Sequence, residues 1–472
     1  MIFDIVQGNY RSRAKVISVN DLQNFYPEVV DNGKGKNVKA LIGCPGYRLV
    51  GTANDSGTGR GLYKTSTERF FTVVNNKLFE MSIAEAFTER GTLNTSTGMC
   101  VFSDNGTQLL ITDGTYGYIY TLATNTLARI TDVDYPVSTS HCIFTDGYFL
   151  VNAGGTGQFY FSSSYDGSAW AGLDFATAEY SADNLQGIAK TSNGTIWMIG
   201  KQSVELWSNV GTADLPWRRI SGSVREIGCI APYSIASNGD QVFFLGNGAS
   251  GYGAVYMGQG YDIQKISNPA IEYQIKQLVN INTAVAYTYS DEGHSFYVIS
   301  FTTEKTFVYD ITTGEWHTRG TYNSVTGNSI RQFSQGYAFF NGKHYVGNYL
   351  NGTIYEMGLD IYSEGTNPIK REIVTGHIHN ENQRLRHLKV ELEIERGTGL
   401  VGEDAPKIMM QFSNDGGNTW SSEYWKDAGK IGEYKARAIW HRVGMARDRV
   451  YRFVMTDAVQ WTIANAYIEV MQ

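Results

Sequence analysis

The chain alternates short apolar runs with small polar turns, and one kind of turn recurs along its middle. A polar residue followed by glycine precedes a run rich in aromatic and β-branched residues six times, at spacings of 41, 47, 45, 54 and 49 residues. Such dipeptides suit the tight turn of a β-hairpin, where positive φ angles are needed. The six pairs are Asn105-Gly106, Asp146-Gly147, Asn193-Gly194, Asn238-Gly239, Glu292-Gly293 and Asn341-Gly342.

Each pair introduces a unit of three or four predicted strands. A period of about 40 to 50 residues of this kind is typical of a β-propeller blade, because one small sheet buries both faces only when neighbours stack around an axis. Six units are clear, and a seventh, compressed unit is predicted within Gly61–Gly91, where Asn75-Asn76 separates two apolar runs. Asn268-Pro269 predicts the start of a short amphipathic helix between units.

From about Pro368 the pattern changes to longer strands with apolar residues at every second position. One such strand is predicted from Tyr434 to His441, with Lys435 and Arg437 on its polar face. The fold class is therefore all-β, a propeller of six to seven blades followed by a C-terminal antiparallel β-sandwich. The predicted domains are an N-terminal extension whose strands pack on the propeller or C-terminal domain, the propeller and the sandwich, at 1–60, 61–367 and 368–472.

Composition agrees with many short strands and sets limits on function. Aromatic residues make up 13% of the 472 residues, with 52 glycines and 8 prolines, and 42% hydrophobic residues are ample for a core. The net charge of −7 argues against a protein whose main surface binds nucleic acid or anionic membrane. Without a long apolar run or signal-peptide pattern, we expect a soluble protein made in the cytoplasm, with no membrane insertion by itself.

The four cysteines lie at least 42 positions apart and form no metal-ligand pattern. Cys44, Cys100, Cys142 and Cys229 are therefore interpreted as buried small hydrophobic residues. No phosphate-binding loop or nucleophile elbow is present, and no catalytic residue, metal ligand or cofactor is predicted.

Residues 413–420 match the Asp-box pattern S-x-D-x-G-x-T-W in full. The aspartate accepts backbone hydrogen bonds in a turn, and the tryptophan packs beneath the hairpin. Its predicted structural residues are Ser413, Asp415, Gly417, Thr419 and Trp420. Sialidases and related glycosidases carry this motif, usually several times on propeller blades, whereas it occurs here once, outside the repeats. A propeller glycoside hydrolase and a glycan-binding receptor protein remain alternative functions.

Segments at both ends are more distinctive than the repeats. Gly8–Arg13, Asn24–Glu28 and Gly43–Gly46 together resemble the N-terminal opening of the tail hub, or nozzle, proteins of short-tailed, P22-like bacteriophages, also called packaged-DNA stabilisation proteins. Gly429–Gly444 with Ala446–Val450 is similar to the C-terminal signature of the same family, and Ser203–Trp207 is similar to its mid-chain strand.

The resemblance implies a structural virion protein rather than an enzyme. In this family a hexamer forms a tube below the portal and the head-to-tail adaptor, retains packaged DNA, and serves as the conduit for its ejection. The implied partners are the portal complex, tailspikes or tail fibres, a tail needle or plug, and DNA in transient, sequence-independent passage. The implied location is the phage tail, assembled in the bacterial cytoplasm.

One basic stretch stands out in this acidic chain. Between Lys430 and Arg452 there are seven basic and two acidic residues, a net charge of +5 that leaves −12 for the remainder. We expect this stretch to include a docking face for an acidic surface of a neighbouring subunit or the adaptor. The alternative is that these are solvated strand positions. The predicted interface residues are Lys435, Arg437, Arg442, Arg447 and Arg449.

Overall fold

A computed structural model describes residues 2–3, 5–29, 38–53, 57–212, 215–247, 253–302, 304–398 and 404–471. The fold is all-β, with a propeller and a sandwich, as predicted. Six strands precede the first blade: Ile2–Phe3 (β1), Tyr10–Arg11 (β2), Val19–Gln23 (β3), Phe25–Val29 (β4), Lys39–Gly43 (β5) and Gly46–Thr52 (β6).

Seven four-stranded blades form the propeller, so the predicted compressed unit is a complete first blade. Blades one to four, each with four strands in chain order, comprise Gly59–Lys64 (β7), Phe70–Val74 (β8), Lys77–Met81 (β9), Phe87–Thr92 (β10), Val101–Asp104 (β11), Gln108–Thr112 (β12), Gly117–Thr121 (β13), Thr126–Arg129 (β14), Cys142–Thr145 (β15), Tyr148–Asn152 (β16), Gln158–Ser163 (β17), Asp166–Thr177 (β18), Leu185–Lys190 (β19), Ile196–Gly200 (β20), Val204–Asn209 (β21) and Trp217–Arg219 (β22).

Blades five to seven complete the ring around the same axis. Their strands are Ala236–Asn238 (β23), Gln241–Asn247 (β24), Gly253–Gln259 (β25), Asp262–Lys265 (β26), Val285–Asp291 (β27), His294–Phe301 (β28), Lys305–Asp310 (β29), Trp316–Tyr322 (β30), Ser329–Arg331 (β31), Ser334–Phe340 (β32), Lys343–Asn348 (β33) and Thr353–Gly358 (β34). The predicted helix is Pro269–Lys276 (α1), and the Asn268 side chain caps it by accepting from Ile271 N at 2.9 Å. Short 3-10 helices occupy Pro232–Ser234 and Ile281–Thr283.

The recurring polar–glycine pairs all lie at one position in the blades. Each of the six connects the first strand of a blade to the second, as Asp146-Gly147 does between β15 and β16. Asp146 has φ of 48° and Gly147 of 87°, the two successive positive angles that a tight hairpin turn requires. Glu292-Gly293 and Asn341-Gly342 have the same two positive angles, whereas in the other three pairs only the glycine has a positive φ. The prediction of a turn between two strands is confirmed for all six pairs.

The ring is closed by a strand from the start of the chain. Strand β6 pairs antiparallel with β34 and supplies the outer strand of blade seven. Arg48 on β6 contacts Glu356 in the same blade and Glu85 in blade one, the latter at 2.6 Å. The first and last blades are thus joined without leaving an unpaired outer strand at the junction.

Ser363–Glu364 (β35) and Asn367–Pro368 (β36) extend the sheet of blade seven beyond β6. The later strands, with those before β6, build the sandwich. They are Arg371–Val374 (β37), Ile378–His379 (β38), Leu385–Ile394 (β39), Lys407–Ser413 (β40), Tyr424–Asp427 (β41), Ala438–Ala446 (β42), Asp448–Met455 (β43) and Thr462–Met471 (β44). One sheet has the order β4-β5-β44-β39-β42, and the other β3-β37-β43-β40-β41. Trp440, Trp461 and Phe453 pack in the core between them.

The N-terminal segment joins the two domains. Strand β3 pairs antiparallel with β37 of the sandwich and makes one parallel pairing, Gln23 with Thr318, to β30 of blade six. The buried Asn24 side chain donates to Gly320 O at 2.9 Å and to Lys370 O at 2.8 Å. One sheet therefore runs from blade six into the sandwich. No helix in the described parts of the chain is long and apolar enough to cross a membrane.

Candidate functional site

The innermost strands of the seven blades enclose a cavity of about 490 Å³ on the propeller axis. Its described lining contains no Asp, Glu or Arg, and its lysine and histidine are Lys190 and His141. His141 is buried, and its Nε2 lies 3.1 Å from Pro232 O. Burial lowers the pKa of His141 to about 4, so its ring is neutral at physiological pH. The cavity is lined by both apolar and polar side chains, and Lys190 is the one exposed cation of its described lining.

This lining bears directly on the glycoside hydrolase alternative. Glycoside hydrolysis uses a pair of carboxyl groups on either side of the scissile bond. The described side chains around the axis supply neither that pair nor an arginine cluster. The axial cavity therefore does not present the groups that this chemistry requires.

The Asp box forms the turn between β40 and β41, at the outside of the sandwich. Asp415 Oδ1 accepts from the Ser413 hydroxyl at 2.6 Å and from the backbone N–H groups of Asn418 and Thr419, both at 2.9 Å. Gly417 N donates to Ser413 Oγ at 2.8 Å, and Gly417 has φ of 80°. Hydrogen bonds from Ser413 and Thr419 hold the pKa of Asp415 well below its usual range. The motif thus binds its own backbone.

Trp420, the last residue of the motif, is half-buried beside the N-terminal segment. The Arg452 guanidinium carbon lies 5.6 Å from the centre of its ring, and Arg452 Nε lies 2.9 Å from Glu372. Trp420 also lines a small cavity of about 150 Å³ together with Arg11 and Asp21 near β3. Trp420 thus packs against Arg452 of β43 and faces the cavity between the turn and the N-terminal strands.

Arg449, one of the five predicted interface residues, is not available to a partner. Only 1% of its surface is exposed. Its Nη1 donates to Val443 O at 2.7 Å, its Nε donates to Asn414 Oδ1 at 2.8 Å, and its guanidinium stacks over Phe412 at 4.1 Å. The prediction is wrong for Arg449 because β43 turns this side chain inward, where backbone carbonyl oxygens and Asn414 accept its hydrogen bonds.

Arg437 and Lys435 differ in what they contact. Arg437 is half-exposed and makes a bidentate ion pair with Glu391, both bonds being 2.6 Å long. Lys435 is exposed in a turn, and its side chain forms no ion pair within the described residues. Strand β42 begins only at Ala438, so the predicted strand from Tyr434 is too long. Gly429 and Gly432 have positive φ angles and turn the chain before it, leaving Tyr434 72% exposed.

The remaining two arginines lie on and beside the edge strand β42. Arg442 is exposed, with φ of 56°, where Arg442 and Val443 together oppose Leu388 in a β-bulge. Arg447 is exposed and donates to Asn382 O at 2.6 Å. The five predicted interface residues are therefore divided into the inward-facing Arg449, the ion-paired Arg437, and an exposed set of Lys435, Arg442 and Arg447.

Sequence reasoning did not find Arg386, an exposed arginine on β39 next to this set. It pairs in register with Met445 on β42 and with Met471 on β44, and these two methionines are 52% and 50% exposed. The three side chains form one row across three strands, because directly opposed residues of an antiparallel sheet share a face. Alternation along each strand predicts exposure, but no local signal predicts that the strands lie side by side.

Family models match the chain in two consecutive parts. The model described as bacteriophage P22 Gp10, beta-propeller, matches residues 1–362, and the one described as bacteriophage P22 Gp10, beta-sandwich, matches residues 370–471. The chain belongs to the bacteriophage P22 Gp10 family. The resemblance to tail hub proteins of P22-like phages is thereby confirmed. Membership of this family makes the protein a phage structural protein, which supports a virion location and a non-enzymatic role.

No curated protein matches the chain. Among solved structures, it is similar to the extracellular domain of a putative hybrid two-component system from B. thetaiotaomicron, at 9% identity and TM-score 0.46, covering 66% of this chain and 39% of that one. Virginiamycin B lyase from Staphylococcus aureus has 10% identity and TM-score 0.44, covering 66% and 97%. The Pan2 WD40 domain of Neurospora crassa has 9% identity and TM-score 0.40, covering 64% and 89%.

Proposed function

We propose that this P22 Gp10 family protein is the tail hub, or nozzle, of a short-tailed phage. Six copies form a ring below the portal and the head-to-tail adaptor. The ring retains the packaged DNA, conducts it during ejection, and carries tailspikes or fibres and a needle or plug. The observation that carries the proposal is the match of both family models, in order, over 1–362 and 370–471.

The physical properties of the chain suit a conduit. A net charge of −7 disfavours tight contact with DNA phosphates, which would retard passage. Each tightly neutralised phosphate adds close to one unit to the salt dependence of binding. The propeller and the sandwich each include strands of the same N-terminal segment, which ties the two domains together. The four cysteines are free and buried, so assembly does not depend on disulfides formed in the bacterial cytoplasm.

The direct test is reconstitution on the purified portal–adaptor complex, followed by electron microscopy. We expect added protein to form one sixfold ring at the distal end of the adaptor. A monomer in isolation is compatible with the proposal, because the adaptor can impose the symmetry on weak lateral contacts. A ring of five or eight copies, or no binding to the adaptor, contradicts it.

A second test uses the phage itself. Virions that lack this protein should have tails that stop at the adaptor and heads that have lost DNA. Complementation with the wild-type gene serves as the control. Full heads with normal DNA content in the absence of the protein would contradict the proposed role in DNA retention.

A further inference from the structure

Negative charge is concentrated in blade three and in the connections on either side of it. Between residues 130 and 189 there are seven acidic residues and no lysine or arginine, so this stretch carries a net charge of −7. Since the whole chain also carries −7, the other residues sum to zero. The acidic residues are Asp132, Asp134, Asp146, Asp166, Asp174, Glu179 and Asp183.

An apolar projection stands within this acidic region. In the outer strand β18, Trp170 pairs with Ser162 and Phe175 pairs with Tyr160, so the four residues 171–174 oppose the single residue Phe161. The wide bulge leaves Leu173 88% exposed. The neighbouring loop is fixed to β18 because Trp170 N donates to Asp132 Oδ2 at 2.9 Å, and that loop leaves Val133 95% exposed. We name Asp132, Val133, Asp134, Leu173 and Asp174 the acidic knob.

The sandwich carries a surface of the opposite chemistry. Arg386, Met445 and Met471 form the exposed row across β42, β39 and β44, and Arg447 follows the end of β42. We name these four residues the Arg–Met patch. Of the acidic residues close to it, Asp448 pairs with His377 at 2.8 Å, and the exposed Glu469, two positions before Met471, lies opposite Lys389 of β39. Arginine and methionine are both enriched at protein–protein interfaces.

The two surfaces lie on different sides of the molecule. The sandwich is attached to blade six through β3 and β30, and blade three is three blades away in a ring of seven. That separation places blade three nearly across the propeller axis from the attachment. Met471 is the last residue of β44. The other end of that strand follows Trp461, whose carbonyl oxygen accepts from Gly43 N of the N-terminal segment at 2.9 Å. The Arg–Met patch therefore lies at the end of β44 away from this contact. Complementary surfaces on different sides of one chain are what a closed head-to-tail ring uses.

We propose that the acidic knob of one copy docks on the Arg–Met patch of the next copy. Leu173 and Val133 meet the methionine side chains, and Asp134 and Asp174 face Arg386 and Arg447. The apolar contacts supply most of the affinity, and the charges set the association rate and the register. The inference rests on the proposed ring and identifies the surfaces that close it.

Cysteine cross-linking tests this contact in the assembled ring. Leu173→Cys and Met445→Cys are placed in one chain, and rings on the portal–adaptor complex are treated with a short bismaleimide. The native cysteines do not compete, because all four are buried, and burial raises the pKa of Cys142 to about 12. We expect a ladder of linked copies. The matched control replaces Leu173→Cys with Ile83→Cys, 71% exposed on blade one, and should give no ladder.

The outcomes separate this inference from the proposed function. Sixfold rings without the Leu173–Met445 ladder, or with the same ladder in the Ile83 control, overturn the inference and leave the hub proposal intact. Linkage of the knob to the adaptor instead of a second copy also overturns it. If wild-type protein forms no ring at all, the hub proposal fails first and the inference fails with it.

Charge reversal provides a second, independent readout. Asp134→Lys with Asp174→Lys, or Arg386→Glu with Arg447→Glu, should each slow ring formation about tenfold at low salt. Asp132 is left unchanged because it holds Trp170. The fourfold combination should recover most of the rate, since the pairing is restored with opposite sign. Normal assembly by both reversed pairs, or no recovery in the combination when each variant melts like wild type, contradicts the proposal.

Discussion

The propeller and the sandwich are both β-structures, but their strands come together in different ways. Blade two is made of consecutive strands within 101–129, so each pairing closes a short loop. In the sandwich, Ile463 of β44 pairs with Leu41 of β5, and Ile373 of β37 pairs with Leu22 of β3. The first kind of pairing can be recognised from turn residues nearby in sequence, and the second cannot.

Both domains nevertheless depend on the same N-terminal segment. Strand β6 closes blade seven, and β3 to β5 complete the two sheets of the sandwich. Phe25 and Leu41 are fully buried in the sandwich core, while Tyr47 on β6 is buried against blade seven. The segment therefore joins the propeller, whose blades pair strands close in sequence, to the sandwich, whose sheets pair strands far apart in sequence. The following predictions test that coupling, beginning with the largest expected effect.

Removing residues 1–52 should unfold both domains. Each large apolar side chain that the segment buries is worth roughly 1.5–3 kcal/mol, and several such losses approach the 5–15 kcal/mol that separates folded from unfolded proteins. We expect fragment 53–472 to show no cooperative melting by circular dichroism, and co-expression with fragment 1–52 to restore it. Deletion of 1–18 alone, which keeps β3 to β6, is the control and should melt cooperatively. A folded propeller in fragment 53–472 would show that the domains are independent.

Replacing a buried tryptophan by alanine in either domain should lower the temperature of a single unfolding transition that both domains share. Trp316 in blade six and Trp440 in the sandwich are 2% and 3% exposed, and each indole N–H donates to a backbone carbonyl at 3.0 Å. Trp316→Ala and Trp440→Ala should each cost about 3 to 5 kcal/mol. Because β3 pairs with both domains, differential scanning calorimetry should show one peak that either change lowers. Two peaks that move separately would mean that β3 does not couple the domains.

Substitutions at two arginines of the basic stretch should change the free energy of unfolding in opposite directions. Arg449→Ala leaves Val443 O and Asn414 without a buried partner and should cost about 2 to 4 kcal/mol. Arg442→Gly relieves a positive φ angle at an exposed site and should stabilise by up to about 1 kcal/mol. Urea unfolding of both variants against wild type gives the comparison. Equal losses would place Arg442 in the core network beside Arg449.

His387 in the sandwich and His294 in the propeller should give opposite pH dependence of the free energy of unfolding. Burial lowers the pKa of His387 in the sandwich to about 4, so the unfolded chain binds its proton first and stability falls as pH drops below about 6.5. His387 should contribute a loss of about 1 to 2 kcal/mol between pH 7 and 5, and His387→Gln should remove this part while leaving the part due to the buried His141. Urea midpoints at several pH values provide the measurement. An unchanged acid slope in the variant would exclude His387 as its source.

His294 in blade six should have the smaller effect. Its hydrogen bond to Asp310 raises the pKa of His294, so its contribution is fully present below the unfolded pKa and is lost as pH rises through the folded value. His294→Gln should therefore flatten the stability change on the neutral to alkaline side. A variant that alters only the acid side would contradict this assignment.

Local sequence patterns predict most of the propeller and the existence of a second, all-β domain. Asn105-Gly106 and the five later pairs mark tight turns because their backbone conformation is set by the residues themselves. The helix after Asn268 and the hydrogen-bonded turn around Asp415 are local in the same sense. End segments such as Gly429–Gly444 carried the family resemblance, which does not depend on knowing any contact.

Tertiary structure decided which residues meet across long sequence separations. It placed β6 in blade seven, turned Arg449 inward, and gave Arg437 a partner 46 residues away in Glu391. It also aligned Arg386 with Met445 and Met471 in the sandwich. Blade three lies nearly across the propeller axis from blade six, to which the sandwich is attached. Charge and alternation predict that such residues tend to be exposed. Only the pairing of distant strands, driven by burial of their shared apolar faces, determines which of them are neighbours.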